Sequence, residues 1–369
     1  MNKINSIAFV ALRDNLGATG GPGGVLFIQR QLLGSSICGK QASYRFNFIK
    51  TSNRKFSIFR RMLNLFLFFF YFLFKKRTYF VTHDVETGRL LAHLHKRYSL
   101  VYHHQGSIVK ERSDMAGHEL TGFKRKYYEY TERKALTGAE TLHFPSNGAA
   151  EMYFKSDYST CKKEDVRLGQ PLYNVILPVE VTKPIGFDVD ADPSCLTFFS
   201  LGTLTAAKGQ DQTVHFLSEF VKNYKKPMRY ILLGAGPLRE MLINKLDEIQ
   251  RDYVNFSYRY FDKLPHEAVM YLHKISDVYI MLHRISIFDF ATLEAMTQNS
   301  AIVLSKVGGN PEFNRDDNIV FAEDVESDMS SFALFDFEVL KRKNKQVYDQ
   351  YFSPDAFREQ YIKLFESIE

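Results

Sequence analysis

The sequence predicts an α/β protein with two Rossmann-like domains. The chain has 369 residues, which is long for a single hydrophobic core and favours two domains of ordinary size. Its second half alternates short β-rich apolar runs with segments of helical periodicity, and its first half repeats this pattern more loosely. Such alternation is typical of βαβ units, so we expect two parallel sheets in domains that face each other across a cleft.

The composition disfavours several classes of protein. An apolar fraction of 45% and a charged fraction of 24% are typical of folded chains and argue against disorder. Cys38, Cys161 and Cys195 lie far apart without a C-x-x-C spacing, which disfavours a disulfide framework or a zinc site and fits a reducing cytoplasm. The net charge of +6 is scattered and no nucleic-acid-binding signature is visible, so we expect no nucleic-acid partner.

The first half carries the looser β/α pattern. Its first apolar run, residues 6–12, has the character of a strand rather than of a signal peptide. A glycine-rich turn at 20–24 leads from this strand into a helical segment. The helix is predicted at 25–33, and further strands are predicted at 44–49, 78–84 and 99–105.

Residues 62–74 form an aromatic and aliphatic run, MLNLFLFFFYFLF, flanked by basic residues at 60–61 and 75–77. A helix of this length is about 20 Å long, well short of the roughly 30 Å hydrocarbon core of a bilayer. Two interpretations stay open: a buried helix or strand, or an interfacial segment whose aromatic rings enter the bilayer boundary beside anionic headgroups. Because the run is apolar on every side, we favour contact with a membrane surface through residues 60–77.

The second half predicts a complete parallel sheet and closes with a helix. The predicted strands are 196–201, 229–235, 254–260, 277–283, 301–305 and 318–323, and the clearest helices between them are 211–224 and 237–251. Residues 175–194 carry three prolines and no helical period, which indicates a linker. We therefore place a first domain at 1–185, a second domain at 186–348, and at 349–369 a helix that packs back on the first domain.

Three loops after predicted strands have the composition of anion-binding sites. Gly20 and Gly21 begin the GGPGG turn, and a second glycine-rich turn, GAGPLRE, spans 234–240. Glycine lets the backbone approach a ligand, and the N-terminus of the following helix offers N–H groups and a positive dipole to an anion. Lys208 lies in another such loop, where a lysine can neutralise a diphosphate. Taken singly, each feature is equally compatible with a tight turn or a solvated lysine.

The order of these pieces resembles the retaining glycosyltransferases of family 4, which have the GT-B fold. GTLTAAKG, GAGPLRE, FATLEAM and SKVGGNPEF follow one another in the second half, after GGPGG and YHHQGS in the first. The resemblance is dense over 197–324 and looser over 1–150. It implies a metal-independent hexosyltransferase with no cofactor, whose nucleotide-sugar donor, such as a UDP- or GDP-sugar, binds mainly to the second domain and whose acceptor binds mainly to the first.

The resemblance also assigns roles to individual residues. Lys208 matches the lysine that binds the diphosphate, and Glu294 matches the glutamate that grips the nucleotide ribose. Gly20 and Gly21 match the glycine loop beside the diphosphate. Gly308, Gly309 and Glu312 match the GG-x-x-E loop, and His104 matches the histidine near the reacting sugar. His103 is an alternative for the last of these positions.

The chain departs from the family pattern at three places. Thr203 stands where an arginine usually accompanies the lysine, and Ser286 stands at the first glutamate of the family's E-x7-E motif. The glycines that follow that glutamate are replaced by Ile287 and Asp289. Asp289 could accept hydrogen bonds from the donor sugar in place of the lost glutamate, and Arg284 could supply the missing cation.

Ser286 and Asp289 also have the spacing of a capping box, in which a hydroxyl and a carboxylate bind the free N–H groups at the start of a helix. In that arrangement Asp289 would repel a diphosphate at the same place. A purely structural role for both residues therefore stays open.

The leading hypothesis is a retaining glycosyltransferase that acts on a surface-glycan or lipid-linked acceptor, with His104 and Asp289 as candidate catalytic residues. It places the chain in the cytoplasm, peripheral to the inner face of the plasma membrane if residues 62–74 contact lipid. The main alternative is a catalytically degenerate subunit or scaffold for an active partner, suggested by Thr203 and Ser286. A sugar-nucleotide epimerase is less favoured, because it needs more acids and bases around the sugar.

Overall fold

The structure is a computed structural model in which the chain forms two compact units. The first unit comprises Met1–Val175 and Pro354–Glu369, and the second comprises Ile176–Ser353. Each is built on a largely parallel sheet with helices packed on it, so the prediction of two Rossmann-like α/β units is confirmed. The residues that the structure describes are 4–14, 22–51, 57–366 and 368.

The first unit has a six-stranded sheet. Its strands are β1 (Ser6–Val10), β2 (Ser36–Ile37), β3 (Lys40–Arg45), β4 (Thr78–Thr82), β5 (Tyr98–Val101) and β6 (Thr141–His143). They run in the order β2-β3-β1-β4-β5-β6, and the pairs are parallel except for the β2-β3 hairpin. Strand β3 lies earlier than the predicted strand at 44–49 because the chain turns back at Cys38 and Gly39, both with positive φ (47° and 70°).

Helices fill the connections of this sheet. They are α1 (Pro22–Leu33), α2 (Ser57–Phe74), α3 (Val85–His93), α4 (Ile108–Ala116), α5 (Gly122–Thr137) and α6 (Asn147–Lys155). The apolar run at 62–74 lies within α2, which is 18 residues long and exposes one face while burying the other. In the described part of the chain, no helix is long and apolar enough to cross a membrane.

The second unit has a six-stranded, fully parallel sheet. Its strands are β7 (Leu196–Leu201), β8 (Met228–Leu233), β9 (Phe256–Phe261), β10 (Val278–Met281), β11 (Ala301–Leu304) and β12 (Ile319–Phe321). They run in the order β12-β11-β10-β7-β8-β9. Except for the edge strand β9, which is partly exposed, the strands are mostly buried apolar runs, because helices cover both faces of such a sheet.

The helices of the second unit follow these strands in the predicted alternation. They are α7 (Gln210–Asn223), α8 (Arg239–Asp252), α9 (His266–Ile275), α10 (Phe290–Thr297), α11 (Ala322–Val325), α12 (Met329–Phe332) and α13 (Phe337–Val347). A π-helical segment, Tyr348–Phe352, ends the unit.

The final helix, α14 (Pro354–Glu366), belongs to the first unit. The ring of Phe365 meets that of Phe9 edge-on, with centroids 6.0 Å apart, and the ring of Tyr361 lies 6.0 Å from the same partner. Gln29 on α1 donates a hydrogen bond to the hydroxyl of Tyr361. The end of the chain therefore completes the core beside β1.

The division of the chain differs from the sequence-based boundary at residue 185. Residues 176–185 belong to the second unit, where Val181 packs against Met270 and Tyr271 of α9. Lys274 Nζ also donates a hydrogen bond to the carbonyl of Val181 at 2.8 Å. This segment lacks regular secondary structure, so its periodicity gave no sign of the unit that buries it.

Candidate active site

The candidate site lies at the carboxyl ends of the strands of the second unit. Strand β7 lies between β8 and β10. From β7 the chain adds β8 and β9 on one side, and it then adds β10, β11 and β12 on the other side, so the direction of the connections switches between β7 and β10. Ligands of open α/β sheets bind in the crevice at such a switch point. The backbone N–H groups of Arg284 and Ile285, after β10, donate to the carbonyl of Ala207, after β7, at 3.0 and 3.2 Å. These bonds hold the two loops side by side.

Lys208 and Asp289 are in direct contact at this switch point. Lys208 Nζ donates a hydrogen bond to Asp289 Oδ1 at 2.9 Å, and His283 Nε2 lies 3.9 Å from the same oxygen. The side chains of Lys208 and Asp289 are 23% and 16% exposed, so both remain within reach of a ligand. The structure thus brings together two residues that the sequence singled out and adds a buried histidine that sequence reasoning missed.

Burial and mutual charge set the protonation of this cluster. Burial alone would raise the pKa of the Asp289 carboxyl, but the charges of Lys208 and His283 outweigh burial and hold this pKa at about 2. Burial lowers the pKa of His283 to about 4, against an opposing effect of Asp289. At neutral pH an ionised carboxylate therefore lies near a neutral imidazole, a combination suited to binding hydroxyl groups.

The capping-box interpretation of Ser286 and Asp289 is wrong. Helix α10 begins at Phe290 with Asp289 itself at the N-cap position, so Ser286 precedes the helix. Asp289 accepts its hydrogen bond from Lys208, and within the described residues the buried hydroxyl of Ser286 has no hydrogen-bond partner. Asp289 thus occupies the N-cap position while its carboxylate pairs with Lys208, and Ser286 lies outside the helix.

The backbone that carries Asp289 is strained at the preceding residue. Phe288 has a φ of 138°, which a bulky side chain rarely adopts. Its buried ring stacks on Phe313 with centroids 4.0 Å apart and contacts Phe352 edge-on at 5.3 Å. This packing offsets a backbone cost of roughly 1–3 kcal/mol. The packing of Phe288 thus fixes the backbone from which the Asp289 carboxylate projects.

Arg284, the candidate second cation, is paired with a carboxylate of α7. Its Nη1 and Nη2 atoms donate to the two carboxylate oxygens of Asp211 at 2.7 and 2.6 Å, and Nη1 also donates to the carbonyl of Ala206 at 2.8 Å. The hydrogen bonds of this pair raise the pKa of Arg284 and lower that of Asp211. A diphosphate would have to compete with Asp211 for this guanidinium.

Glu294 on α10 lies between two histidines of α9. Its Oε1 is 3.0 Å from His266 Nε2, and its Oε2 is 3.7 Å from His273 Nε2. The histidines are two helical turns apart and so share one face of α9. Burial alone would raise the pKa of Glu294, but the histidines reverse that effect and lower it, while the hydrogen bond to Glu294 raises the pKa of His266.

Buried polar groups connect the surroundings of the two carboxylates. Burial, followed by the charges of Asp289 and Glu294, raises the pKa of the Tyr279 hydroxyl well above its ordinary value. In the described part of the chain, both ring nitrogens of His273 and of His283 lack hydrogen-bond partners. Both imidazoles are fully buried, and an unpaired buried polar group costs about 1–3 kcal/mol.

Close backbone contacts require glycine in two of the surrounding loops. Gly209, after the short 3₁₀ turn that carries Lys208, has a φ of 67°, and a Cβ atom there would lie 1.7 Å from the carbonyl oxygen of Leu282. Gly234 has a φ of 145°, and a Cβ atom there would lie 1.9 Å from the carbonyl oxygen of Gly202. The GAGPLRE turn is therefore needed for the contact between the loops after β7 and β8.

The GG-x-x-E loop joins the same group of loops. The N–H of Gly309 donates to the carbonyl of Ser286 at 3.0 Å, and Gly308 has a φ of 51°. Glu312 lies in the 3₁₀ helix Asn310–Phe313. The backbone of this loop thus supports the segment that carries Ser286 and Asp289.

His104 and His103 lie in the first unit, after β5. His104 Nδ1 is 2.7 Å from Glu111 Oε2. His103 Nε2 is 2.8 Å from His83 Nδ1, and the other ring nitrogen of His83 contacts the side-chain amide of Gln29. Burial lowers the pKa of His103 to about 3, so this second imidazole is neutral and belongs to a chain of buried polar groups.

Two expectations for the site remain predictions. Gly20 and Gly21, the candidate glycine loop of the first unit, lie outside the described residues. Among the residues that the structure describes, no group of three or more His, Cys, Asp or Glu side chains is arranged to hold a metal ion. The expectation that the site needs no metal stays a prediction.

Comparison of the sequence with known families gives one match. The model described as "Glycosyl transferases group 1" matches residues 188–363, slightly less than half of the chain. The matched segment covers the sheet of the second unit and every candidate residue named there. No curated protein matches the chain in sequence.

Solved structures with the same fold span nearly the whole chain. Sucrose-phosphate synthase from Thermosynechococcus elongatus is similar with a TM-score of 0.67 and 14% identity over 99% of both chains. HepE of Anabaena in complex with UDP is similar with a TM-score of 0.61 and 13% identity over 98% of this chain and 100% of that chain. The N-terminal domain of Candida albicans trehalose-6-phosphate phosphatase is similar with a TM-score of 0.64 and 11% identity over 98% and 97%. At these identities the likeness establishes the fold alone, which is that of the GT-B glycosyltransferases.

Proposed function

We propose that the chain is a retaining glycosyltransferase of family 4, which transfers a hexose from a UDP- or GDP-sugar to a surface-glycan or lipid-linked acceptor. The observation that carries the proposal is the contact of Lys208 with Asp289 at the switch point of the second sheet. Glu294 on the helix that follows supplies the second carboxylate of a nucleotide-sugar site. The family match over residues 188–363 supports the same assignment.

In the proposed complex the donor binds to the second unit. Glu294 accepts hydrogen bonds from the ribose hydroxyls, and Lys208 exchanges Asp289 for the diphosphate. The released carboxylate of Asp289 and the hydroxyl of Ser286 then contact the hydroxyl groups of the sugar. A neutral sugar suits this pocket better than a uronic acid, because Asp289 repels a second carboxylate.

The transfer exchanges one glycosidic bond for another. The acceptor oxygen bonds to the anomeric carbon on the face from which the diphosphate departs, the bond from that carbon to the diphosphate oxygen breaks, and the acceptor proton goes to the leaving group. Lys208 and backbone N–H groups stabilise the charge on the diphosphate, so we propose that no metal is needed. By resemblance, His104 is the further candidate beside the reacting sugar.

We place this reaction at the inner face of the plasma membrane. Sugar nucleotides are made in the cytoplasm, and a lipid-linked acceptor would be reached from the membrane surface. The exposed apolar face of α2 supports this placement.

The proposal is tested by nucleotide binding. A ligand that binds only the folded state raises the melting temperature, so we expect UDP or GDP to raise it and the matching sugar nucleotide to be hydrolysed slowly. Replacement of Lys208 by Met should weaken nucleotide binding by about 10- to 100-fold, because a charge-assisted contact to the diphosphate is lost. Replacement of the exposed Lys263 by Met in the same unit should leave binding unchanged.

The variant Asp289→Asn separates binding from transfer. Without the competing carboxylate, Lys208 is free for the diphosphate, so UDP or GDP should bind at least as tightly while transfer falls by about 100-fold. Asp324, which pairs with the surface lysine Lys306, offers the matched control Asp324→Asn. Failure of every UDP and GDP compound to bind in calorimetry would overturn the proposed activity.

One observation favours a second candidate function, a degenerate glycosyltransferase-like subunit. Both cations of the candidate site are neutralised in the structure, Lys208 by Asp289 and Arg284 by Asp211. A chain that had lost its donor would keep such pairs as structural contacts. Absence of nucleotide binding together with stable association with an active transferase would support this function.

A further inference from the structure

Helix α2 is anchored in the first unit by one of its faces. Phe68 and Phe72 on that face are fully buried, and the ring of Phe72 contacts Phe80 of β4 with centroids 5.1 Å apart. The side chain of Asn64 accepts from the N–H of Ile49 at 3.0 Å and donates to its carbonyl at 2.8 Å. These contacts fix the rotation of the helix about its axis, and therefore which residues face outward.

The opposite side of α2, the outer face below, is apolar and exposed. Its most exposed side chains have between 41% and 79% of their surface accessible and recur every three to four residues along the helix. They are Ile58, Phe59, Met62, Phe66, Leu73 and Phe74. A contiguous apolar surface of this kind usually marks a site of association.

Basic residues lie at both ends of this helix. Lys75, Lys76 and Arg77 follow its last turn and are exposed, and Arg61 is exposed in its first turns. Arg61 forms an ion pair with Glu86. No acidic residue occurs in the sequence from 57 to 77. Most of the positive charge beside the outer face therefore lies at its C-terminal end, at 75–77. At the N-terminal end Arg60, which donates to the carbonyl of Lys50, is the further cation.

This distribution of charge favours a lipid surface over a second copy of the chain. Two copies that paired through the outer face in parallel would bring their basic residues at 75–77 together, and like charges repel. An antiparallel pair would set these residues against Arg60 of the other copy, with no acidic residue on the helix to attract them. Anionic headgroups attract both ends at once. Aromatic and aliphatic side chains between such cations are typical of helices that lie in a membrane interface.

We propose that α2 lies in the plane of an anionic bilayer surface, with the outer face in the acyl boundary and the basic residues at 75–77 among the headgroups. The helix is roughly 27 Å long, so the inserted surface extends along the membrane rather than across it. The inference deepens the membrane placement proposed above and rests on that part of the proposed function. It can be tested separately from the transfer reaction, because lipid binding is measured without a sugar nucleotide.

The test is co-sedimentation of the full chain with vesicles of phosphatidylcholine, with or without phosphatidylglycerol. We expect strong binding to the mixed vesicles, weaker binding to phosphatidylcholine alone, and a loss of the difference at high salt. The triple variant Phe66→Ser, Leu73→Ser, Phe74→Ser should bind both vesicles more than about 100-fold more weakly, because three large apolar side chains no longer enter the lipid. The double variant Lys75→Gln, Lys76→Gln should bind the mixed vesicles about 30-fold more weakly, and its affinity for phosphatidylcholine vesicles should not change.

A matched control keeps the result interpretable. Phe123, Val254 and Leu334 are exposed apolar residues outside α2, and replacing all three by serine should leave vesicle binding unchanged. Thermal unfolding of each variant verifies that it folds. Equal binding by the outer-face variant and the wild type would overturn the proposal. So would a wild-type dimer that the outer-face variant dissociates while its vesicle binding is retained.

Discussion

Glu294 forms an ion pair with His266, so the strength of this contact depends on pH. The hydrogen bond to Glu294 raises the pKa of His266. His266 therefore stabilises the folded state fully at a pH below the pKa that it has in the unfolded chain. This stabilisation is lost as the pH rises through the pKa of His266 in the folded protein. The pKa of Glu294 is lowered against the effect of burial, so its contribution is present above the unfolded pKa and is lost as the pH falls through the folded one. At a pH between the pKa of Glu294 and that of His266, the carboxylate and the imidazolium are both charged and attract each other.

Nucleotide affinity should accordingly depend on His266. If Glu294 binds the ribose, a protonated His266 competes for the same oxygen, and we expect affinity for UDP or GDP to fall by up to about tenfold from about pH 8 to about pH 5.5. The variant His266→Gln should show a flatter profile in calorimetry.

The exposed His215 of the same unit provides the control His215→Gln, which also accounts for titration of the nucleotide's own phosphate. Identical profiles for the wild type, His266→Gln and His215→Gln would show that His266 does not compete with the ligand.

At this scale the sequence predicted part of the site. Lys208 and Glu294 were identified through the family resemblance and Asp289 through a departure from the family pattern. The structure places Lys208 against Asp289. His266 and His273 were missed because they lie in a different helix, and the order of the strands is what brings α9 beside α10. Their spacing of two helical turns on one face was the available signal.

Among the loops, the turn after β8 is one of two in which a close backbone contact requires glycine. Replacement of Gly234 by Ala would place Cβ 1.9 Å from the carbonyl oxygen of Gly202, so we expect a loss of more than about 3 kcal/mol in the free energy of unfolding. Gly186 also has a positive φ (75°) but has no atom within 4 Å of the added carbon in the described structure.

Gly186→Ala is therefore the matched control, with an expected cost of about 1 kcal/mol. Urea unfolding of the two variants measures the difference. Equal stability would mean that the loops after β7 and β8 separate at little cost and do not form a rigid edge of the site.

For whole elements, prediction succeeded where the chain follows a regular period. The second-unit strands were predicted to within about two residues, because all but the edge strand β9 are largely buried apolar runs bounded by turns. The β2-β3 hairpin was missed, since Cys38-Gly39 lacks the Asn-Gly or Asp-Gly signature of a tight turn. Composition alone could not separate the buried face of α2 from the outer face, because both are rich in Phe.

On the scale of the whole molecule, the last helix should stabilise the first unit selectively. Phe365 of α14 is buried against Phe9, so Phe365→Ala should remove about 3–5 kcal/mol from the unfolding free energy of that unit. Hydrogen exchange should accelerate in β1, β4 and β5, with β7, β8 and β10 little affected. The exposed Lys363 on the same helix gives the control Lys363→Ala, and uniform acceleration throughout the chain would contradict the division.

That division has a consequence for biosynthesis. The second unit is a continuous segment, Ile176–Ser353, and all of it leaves the ribosome before α14 does. The first unit is begun before the second but lacks Tyr361 and Phe365 until α14 has been made. During this interval the apolar side of β1 that these rings cover is open to chaperones, or to the corresponding helix of another nascent chain. The half of the molecule made first is thus the last to be completed.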